Sequence, residues 1–320
     1  PQAEFVYCNA GIGGTTSEFG AARVGTDLLA ERPDFVIVEF SVNDESTEHF
    51  KETYEGLVRK ILGAAWNLAV LLVHNVFYHN GANAQVMHAA IGRHYDLPSV
   101  SMQSSIYPEV VAGRIENRAI TPDDLHPNDE GHALVASVIT YFLEQVRSGK
   151  LTGSNASFAL GAKLPVPLTK NAYEDSVRIR NAAAPDMAGL QQPTLDGFTP
   201  DETAQNEITD CFRYGWTAKK TGDAITFLVE GSCIAVQYRK SVKLPAPVAL
   251  AVVDDDTEHA VRLDANFDET WGDKLELATL LEHGKEGRHI VTIRLAETHE
   301  DDAVPFYLVS VIAAGRRGRD

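Results

Sequence analysis

From residue 1 to about residue 149, short apolar runs alternate with longer segments whose apolar residues recur at helical spacing. Residues 5–8, 35–40, 68–73 and 98–102 read as strands, and residues 17–31, 48–66, 84–95 and 127–146 as helices. Strand and helix alternating in this way predict crossover units, a parallel sheet and helices on both of its faces. The pattern stops at residues 150–170, where Gly, Ser and two prolines follow one another without period, the texture of a linker. Beyond it, residues 224–229, 233–238, 248–253, 289–295 and 306–312 are strand-like, with turn-rich or acidic segments between them and no convincing helix. An antiparallel β-sandwich is expected there. The pattern therefore predicts an α/β domain over residues 1–149, a linker over 150–170 and an all-β sandwich over 171–316.

Composition narrows the possible partners. The chain has 320 residues, 44 % of them hydrophobic, enough for two domains with their own cores. Its 28 basic and 45 acidic residues give a net charge of -17, and no basic block makes a local exception, so neither nucleic acid nor an anionic membrane is an expected partner. Cys8, Cys211 and Cys233 are odd in number and far apart, which suggests neither a disulfide framework nor a CxxC metal site and favours a reducing, cytoplasmic setting. No apolar run approaches the roughly 18 residues of a membrane helix. Residue 1 is Pro, with no charged or apolar leader after it, which reads as a processed product or a fragment.

Three segments of the first half each end a strand and begin a loop, where an open parallel sheet places its ligands. Residues 9–17, Asn-Ala-Gly-Ile-Gly-Gly-Thr-Thr-Ser, let the backbone turn sharply and expose N–H donors; equally, they suit a strand-to-helix turn capped by Thr15, Thr16 or Ser17. The phosphate-loop pattern GxxxxGK[ST] is absent, and a GxGxxG match lacks its third glycine. Residues 41–44, Ser-Val-Asn-Asp, put an amide at the mouth of a strand, able either to donate to an oxyanion or to close a turn on its own backbone. Residues 123–127, Asp-Asp-Leu-His-Pro, set a carboxylate three positions before a histidine. Pro127 suits the first position of the following helix. An acceptor on Nδ1 fixes the tautomer that leaves Nε2 free as a base. Asp124 competes for that role, but Asp123 has the spacing for a turn that folds back onto the ring.

In this order and spacing the first half, over roughly residues 4–146, resembles the SGNH or GDSL-type hydrolases, a family of esterases and acylhydrolases with a flavodoxin-like three-layer α/β/α fold. The resemblance implies that Gly14 supplies an oxyanion N–H, that Asn43 of the GxND-like block supplies a second donor, and that Asp123 and His126 of the DxxH-like block complete a catalytic triad. The mechanism it implies needs neither metal nor organic cofactor; with no long apolar lid to form a lipid tunnel, and with an appended sandwich of a kind that often binds glycans, a short acyl ester is the expected substrate, acetyl groups on a carbohydrate among the candidates. Two departures stand out. Ser41 occupies a position that is commonly Gly, which would strain a backbone at positive φ. The Gly-Asp-Ser-like block that carries the nucleophile should lie some tens of residues before Asn9, yet eight residues precede Asn9 and none is serine. The attacking serine is therefore expected upstream of this chain, and the central strand of the sheet with it.

The remaining features read blandly. His74, His79, His88 and His94 share no metal-binding spacing. His132 is expected on the surface of its helix. Trp216 and Trp271 fit core packing better than sugar stacking, and the acidic runs at 254–256 and 300–302 fit solvated loops better than calcium sites. The competing reading of the whole is a catalytically inactive carbohydrate-binding or interaction protein built on the same scaffold. The oligomeric state is not legible.

Overall fold

A computed structural model describes residues 4–151, 163–187 and 191–315. The chain divides into two compact units, one of residues 16–24 and 29–171, the other of residues 1–15, 25–28 and 172–320. Residues 4–15 and 25–28 thus group with the strand-rich unit, although the hydrophobic pattern places them in the first domain.

In the first unit, α1 (Ser17–Asp27) precedes β1 (Phe35–Val38), α2 (Glu48–Leu62), β2 (Ala69–His74), α3 (Gln85–His94) and β3 (Ser99–Ser101). Two short helices, α4 (Tyr107–Val111) and α5 (Asn117–Ile120), lead to the long α6 (Asp129–Arg147). The sheet runs β1-β2-β3 with every pair parallel, as crossover helices require. Its register puts Phe35 beside Ala69 and Ile37 beside Leu71, so alternate residues of both strands share a face. On one face Leu71 and Val73 pack with Val100, Met102 and Leu134, Val135, Val138, Ile139 and Phe142 of α6. On the other, Leu72 lies against Gly92 of α3 so closely that a Cβ there would meet it at 2.9 Å.

Two expectations of the hydrophobic pattern fail in this unit. Residues 5–8 form no strand: Phe5, Val6 and Tyr7 stand in solvent, because an apolar run becomes a strand only where a neighbour takes its hydrogen bonds. The expected linker is also no free tether over its described part. Leu168 and Thr169 donate their N–H groups to the buried Glu55 carboxylate of α2, each at 2.8 Å, and Arg59 donates to the Pro165 carbonyl at 2.8 Å. Residues 163–171 therefore belong to the first unit; residues 152–162 of the expected linker lie outside the described residues.

The second unit is a β-sandwich. Its strands are β4 (Val177–Ile179), β5 (Thr194–Asp196), β6 (Thr199–Pro200), β7 (Trp216–Ala218), β8 (Ala224–Gly231), β9 (Cys233–Lys240), β10 (Val248–Val253), β11 (Val261–Asp264), β12 (Lys274–Leu281), β13 (Gly287–Glu297) and β14 (Phe306–Ala314). One sheet runs β11-β10-β13-β8-β5 and the other β12-β9-β14-β7-β6, with β4 on β14, all antiparallel. Ile225, Phe227, Val291 and Ile293 of the first sheet share one core with Val236, Phe306, Leu308 and Val311 of the second. Trp216 is in that core at 1 % exposure. Trp271 is not: it stands 64 % exposed with its ring edge-on to Phe267, so the core expectation holds for one tryptophan and fails for the other.

Candidate active site

The loops that leave the carboxyl ends of β1, β2 and β3 are stitched to one another. Ser41, after β1, accepts from Ala84 N at 2.7 Å and donates its hydroxyl to the Asn75 carbonyl, after β2, at 3.0 Å. Tyr78, in the same loop after β2, donates its N–H to the Asp124 carbonyl at 2.8 Å. Asn43 and His126 thus sit on loops gathered at one end of the sheet, the end where crossover topology leaves a crevice.

At the turn after β1, Asn43 and Asp44 both donate backbone N–H groups to the Phe40 carbonyl, at 3.1 and 2.9 Å. The Asn43 side chain is left exposed and bonds no described residue, so an amide donor is presented to solvent by a fixed backbone. Ser41 is buried and does not adopt positive φ, which removes the strain that a serine in place of glycine would cause. Its side chain works instead: backbone N–H and hydroxyl both reach Glu39 Oε1, at 2.9 and 2.7 Å. Burial pushes the Glu39 carboxyl up, against those hydrogen bonds, which pull it down.

Thr121 and α5 set the histidine loop. Asp123 Oδ1 accepts the N–H groups of Leu125 and His126, at 3.1 and 2.8 Å, and Oδ2 meets His126 Nδ1 at 2.6 Å. The side-chain bond from His126, followed by its backbone bond, holds the Asp123 carboxyl far below the ordinary carboxylate range, so it is ionised wherever the ring can act as a base. Because the carboxylate only accepts, Nδ1 carries the proton and Nε2 has its lone pair free. The ring is 76 % exposed, and no described residue bonds Nε2. Asp124 is occupied elsewhere: its carboxylate takes Asn117 Nδ2 and, at 2.9 Å, Arg118, and its backbone at φ 71° turns the loop. This settles which carboxylate orients the imidazole. Helix α6 begins two residues later than the Pro127 rule suggests, with Asn128 as N-cap accepting from Gly131 N at 3.0 Å. His132 is exposed on α6.

Gly14 adopts φ 66°, a conformation that glycine takes freely, and is exposed with open space where a Cβ would stand. It belongs to the segment grouped with the strand-rich unit. Of the serines near the site four are engaged, while Ser104 is exposed and its hydroxyl accepts from Ser101 Oγ at 3.3 Å. Ser17 Oγ is 2.6 Å from Thr53 Oγ1 and buried, Ser41 is bonded as above, Ser101 Oγ donates to Gln85 and Ser105 Oγ to the Ser101 carbonyl at 2.7 Å.

With this geometry in place, comparison with known proteins decides the family. A profile of the GDSL-like lipase/acylhydrolase family matches residues 2–134. The crystal structure of a two-domain esterase active on acetylated mannans, co-crystallised with mannopentaose, superposes with a TM-score of 0.90 at 64 % identity, covering 99 % of this chain and 82 % of that one. The chain belongs to the GDSL-like lipase/acylhydrolase family. A second crystal structure of a two-domain esterase active on acetylated mannans matches at 65 % identity, TM-score 0.90, over 98 % of this chain and 82 % of that one. No curated protein sequence matches the chain significantly. Membership carries the activity class with it: the protein is a hydrolase of carboxylic esters.

Two contacts at this GDSL site were hidden from the sequence. Tyr78 braces the histidine loop, and Asp44 meets His88 across 44 residues at 3.0 Å. Neither pair has a local spacing that announces it; only the Asn-Asp motif flags one partner. Among the described residues no group of three or more His, Cys, Asp or Glu is placed to hold a metal ion, and no helix is long and apolar enough to cross a membrane.

Proposed function

We propose that the protein removes short acyl groups, acetyl foremost, from carbohydrate esters by a Ser-His-Asp mechanism. The observation that carries this reading is the His126 ring, locked by Asp123 at Nδ1 with Nε2 open, on the loop braced beside the Asn43 turn. The substrate class follows the 64 % identical esterase, which acts on acetylated mannans.

In this mechanism a serine hydroxyl attacks the acyl carbonyl while its proton passes to His126 Nε2, and the imidazolium formed is stabilised by the ionised Asp123. The carbonyl oxygen, now carrying the charge, accepts from Asn43 Nδ2 and Gly14 N–H; one such donor is worth about 3 kcal/mol in the transition state. Collapse breaks the bond to the sugar oxygen, which takes the proton from His126. Water then repeats the attack on the acyl-enzyme, with His126 again as base, and the carboxylic acid leaves.

The attacking serine, on this reading, is supplied by a strand and turn outside these 320 residues. Three observations support it. Ser17, Ser41, Ser101 and Ser105 have their hydroxyls committed or buried. Strand β1 has a partner on one edge alone among the described residues. The mannan esterase is longer, this chain covering 82 % of it.

The test is deacetylation of 4-nitrophenyl acetate and acetylated mannan by a polypeptide extended upstream of Pro1. The extended protein should turn over both, with Asn43→Ala costing about 10²–10³ in kcat. Turnover by the 320 residues alone that disappears on substituting Ser101, Ser104 or Ser105 would place the nucleophile inside this chain and overturn the reading.

A further inference from the structure

Beneath the Asn43 turn lies a buried polar cluster that the mechanism does not use. Asp44, with its side chain fully buried, has one partner on each carboxylate oxygen: Ser17 N–H donates to Oδ1 at 2.8 Å, and His88 Nε2 donates to Oδ2 at 3.0 Å. Ser17 is the first residue of α1, so a carboxylate from a distant turn caps the positive end of that helix. His88, on α3, is fully buried, and its ring stacks on the Tyr54 ring of α2 with centroids 3.7 Å apart and planes 7° from parallel. Its Nδ1 meets no partner among the described residues. The histidine therefore carries one hydrogen bond, and that bond goes to the residue next to Asn43.

The Asn43 side chain bonds no described residue, so the place of its Nδ2 is set by the backbone of its turn, closed on the Phe40 carbonyl and braced on one side at Ser41. Asp44 extends that turn inward to two helices. Removing the His88 donor would leave a buried carboxylate oxygen unpaired, at a cost that tilts the side chain and the turn toward any other partner. An oxyanion donor displaced by about 1 Å can lose a hundred-fold in rate.

We propose that His88 is a positioning residue: through Asp44 it fixes the turn that presents the Asn43 amide to the oxyanion. This rests on the assignment of Asn43 under the proposed function, and it extends that assignment to a residue 45 positions away that touches no substrate.

Two measurements test it. In the 320-residue protein, amide hydrogen exchange should quicken at Asn43, Asp44 and Ser17 in His88→Met, and return toward the parent rate in His88→Gln, which keeps a donor at the place of Nε2. Ile91→Val, a buried change on the same helix, should leave those three amides protected. In the extended, active polypeptide, His88→Met should lower kcat about ten-fold with KM within about two-fold, and His88→Gln should recover most of it. In the Asn43→Ala background, His88→Met should add less than about two-fold, because the group it positions is gone. Unchanged exchange in His88→Met, or losses that multiply in the double variant, overturn the proposal while leaving Asn43 in place. An Asn43→Ala enzyme of unchanged kcat overturns the oxyanion assignment itself, and this inference with it.

Discussion

The two units use their apolar residues differently. In the β-sandwich the inner faces of both sheets close on one core, and Phe227, Val236, Ile293, Phe306 and Leu308 are all buried. The α/β unit closes one face and leaves part of the other open. Val36 and Val38 of β1 are covered, but Phe35 and Ile37 on the opposite face remain 42 % and 49 % exposed. Tyr141, Leu143 and Val146 of α6 are exposed as well. A central strand of a doubly wound sheet is apolar on both faces because helices cover both. Strand β1 has that composition with one face partly bare and, among the described residues, one edge without a partner. The sandwich closes its core among its described residues, whereas the α/β unit presents apolar surface that the proposed upstream strand and helix would cover.

The largest effect should come from supplying them. Five apolar side chains moving from roughly half-exposed to buried would contribute about 5 kcal/mol, a rise of about 10–20 °C in the transition of a unit this size. Calorimetry of the chain with and without an upstream extension should show that rise in one transition, with the sandwich transition unmoved. Equal shifts in both, or in neither, would abolish the contrast drawn between the units.

Next in size is the chemistry assigned to the α/β unit. In the extended polypeptide, His126→Ala should lower kcat about 10³-fold or more, close to 4 kcal/mol, and Asp123→Asn should approach it, since an amide at that place no longer enforces the Nδ1–H tautomer. Melting should barely change, because both side chains stand in solvent. A kinetic loss accompanied by an equal loss of stability would mean that the pair holds the loop together rather than moving protons.

A smaller effect is expected where the histidine loop joins α6. Gly131 lies so near the Ile120 carbonyl that a Cβ would collide with backbone, which cannot rotate away. Gly131→Ala should destabilise the α/β unit by about 2 kcal/mol and slow turnover, leaving the sandwich transition alone.

How much of this could be read from residues alone follows from how local each signal is. The helices and strands of the α/β unit were legible because each carries its own period, and α2, β2 and α3 lie within a few residues of the expected bounds. Asp123 and His126 were legible because three positions of one loop hold the whole interaction. Residues 5–8 misled because strand character belongs to a pair of segments, and no described strand pairs with them. Asp44 and His88 were invisible for the opposite reason: their contact is created by the sheet, which brings together residues that nothing in the intervening sequence relates. Trp271 shows the same limit in the sandwich, since its composition matches that of the buried Trp216 and only the loop between β11 and β12 leaves it in solvent.

The smallest predicted effect separates the units by pH. On β13 of the sandwich, His289 is nearly buried between two acceptors: Nδ1 is 2.6 Å from Asp254 Oδ2 and Nε2 is 2.7 Å from the Lys285 carbonyl. Neither acceptor has a proton to give, so both ring nitrogens donate and the ring is held as imidazolium. Burial acts to lower its pKa, but the bonds to Asp254 and to the Lys285 carbonyl outweigh it, and the net shift is upward. A raised folded value means that the contribution to stability is complete below the unfolded value near 6.5 and is lost as pH rises through the folded value. Asp254 moves the other way. The Ile290 N–H, ahead of His289, holds its carboxyl down, so its contribution persists until strongly acidic pH. The sandwich transition should therefore fall as pH rises above the unfolded value and through the raised folded one. His289→Gln should flatten that slope, because the remaining amide does not titrate. A slope that survives the substitution would assign the pH dependence to another group and leave the sandwich as indifferent to pH at this site as its closed core is to the upstream segment.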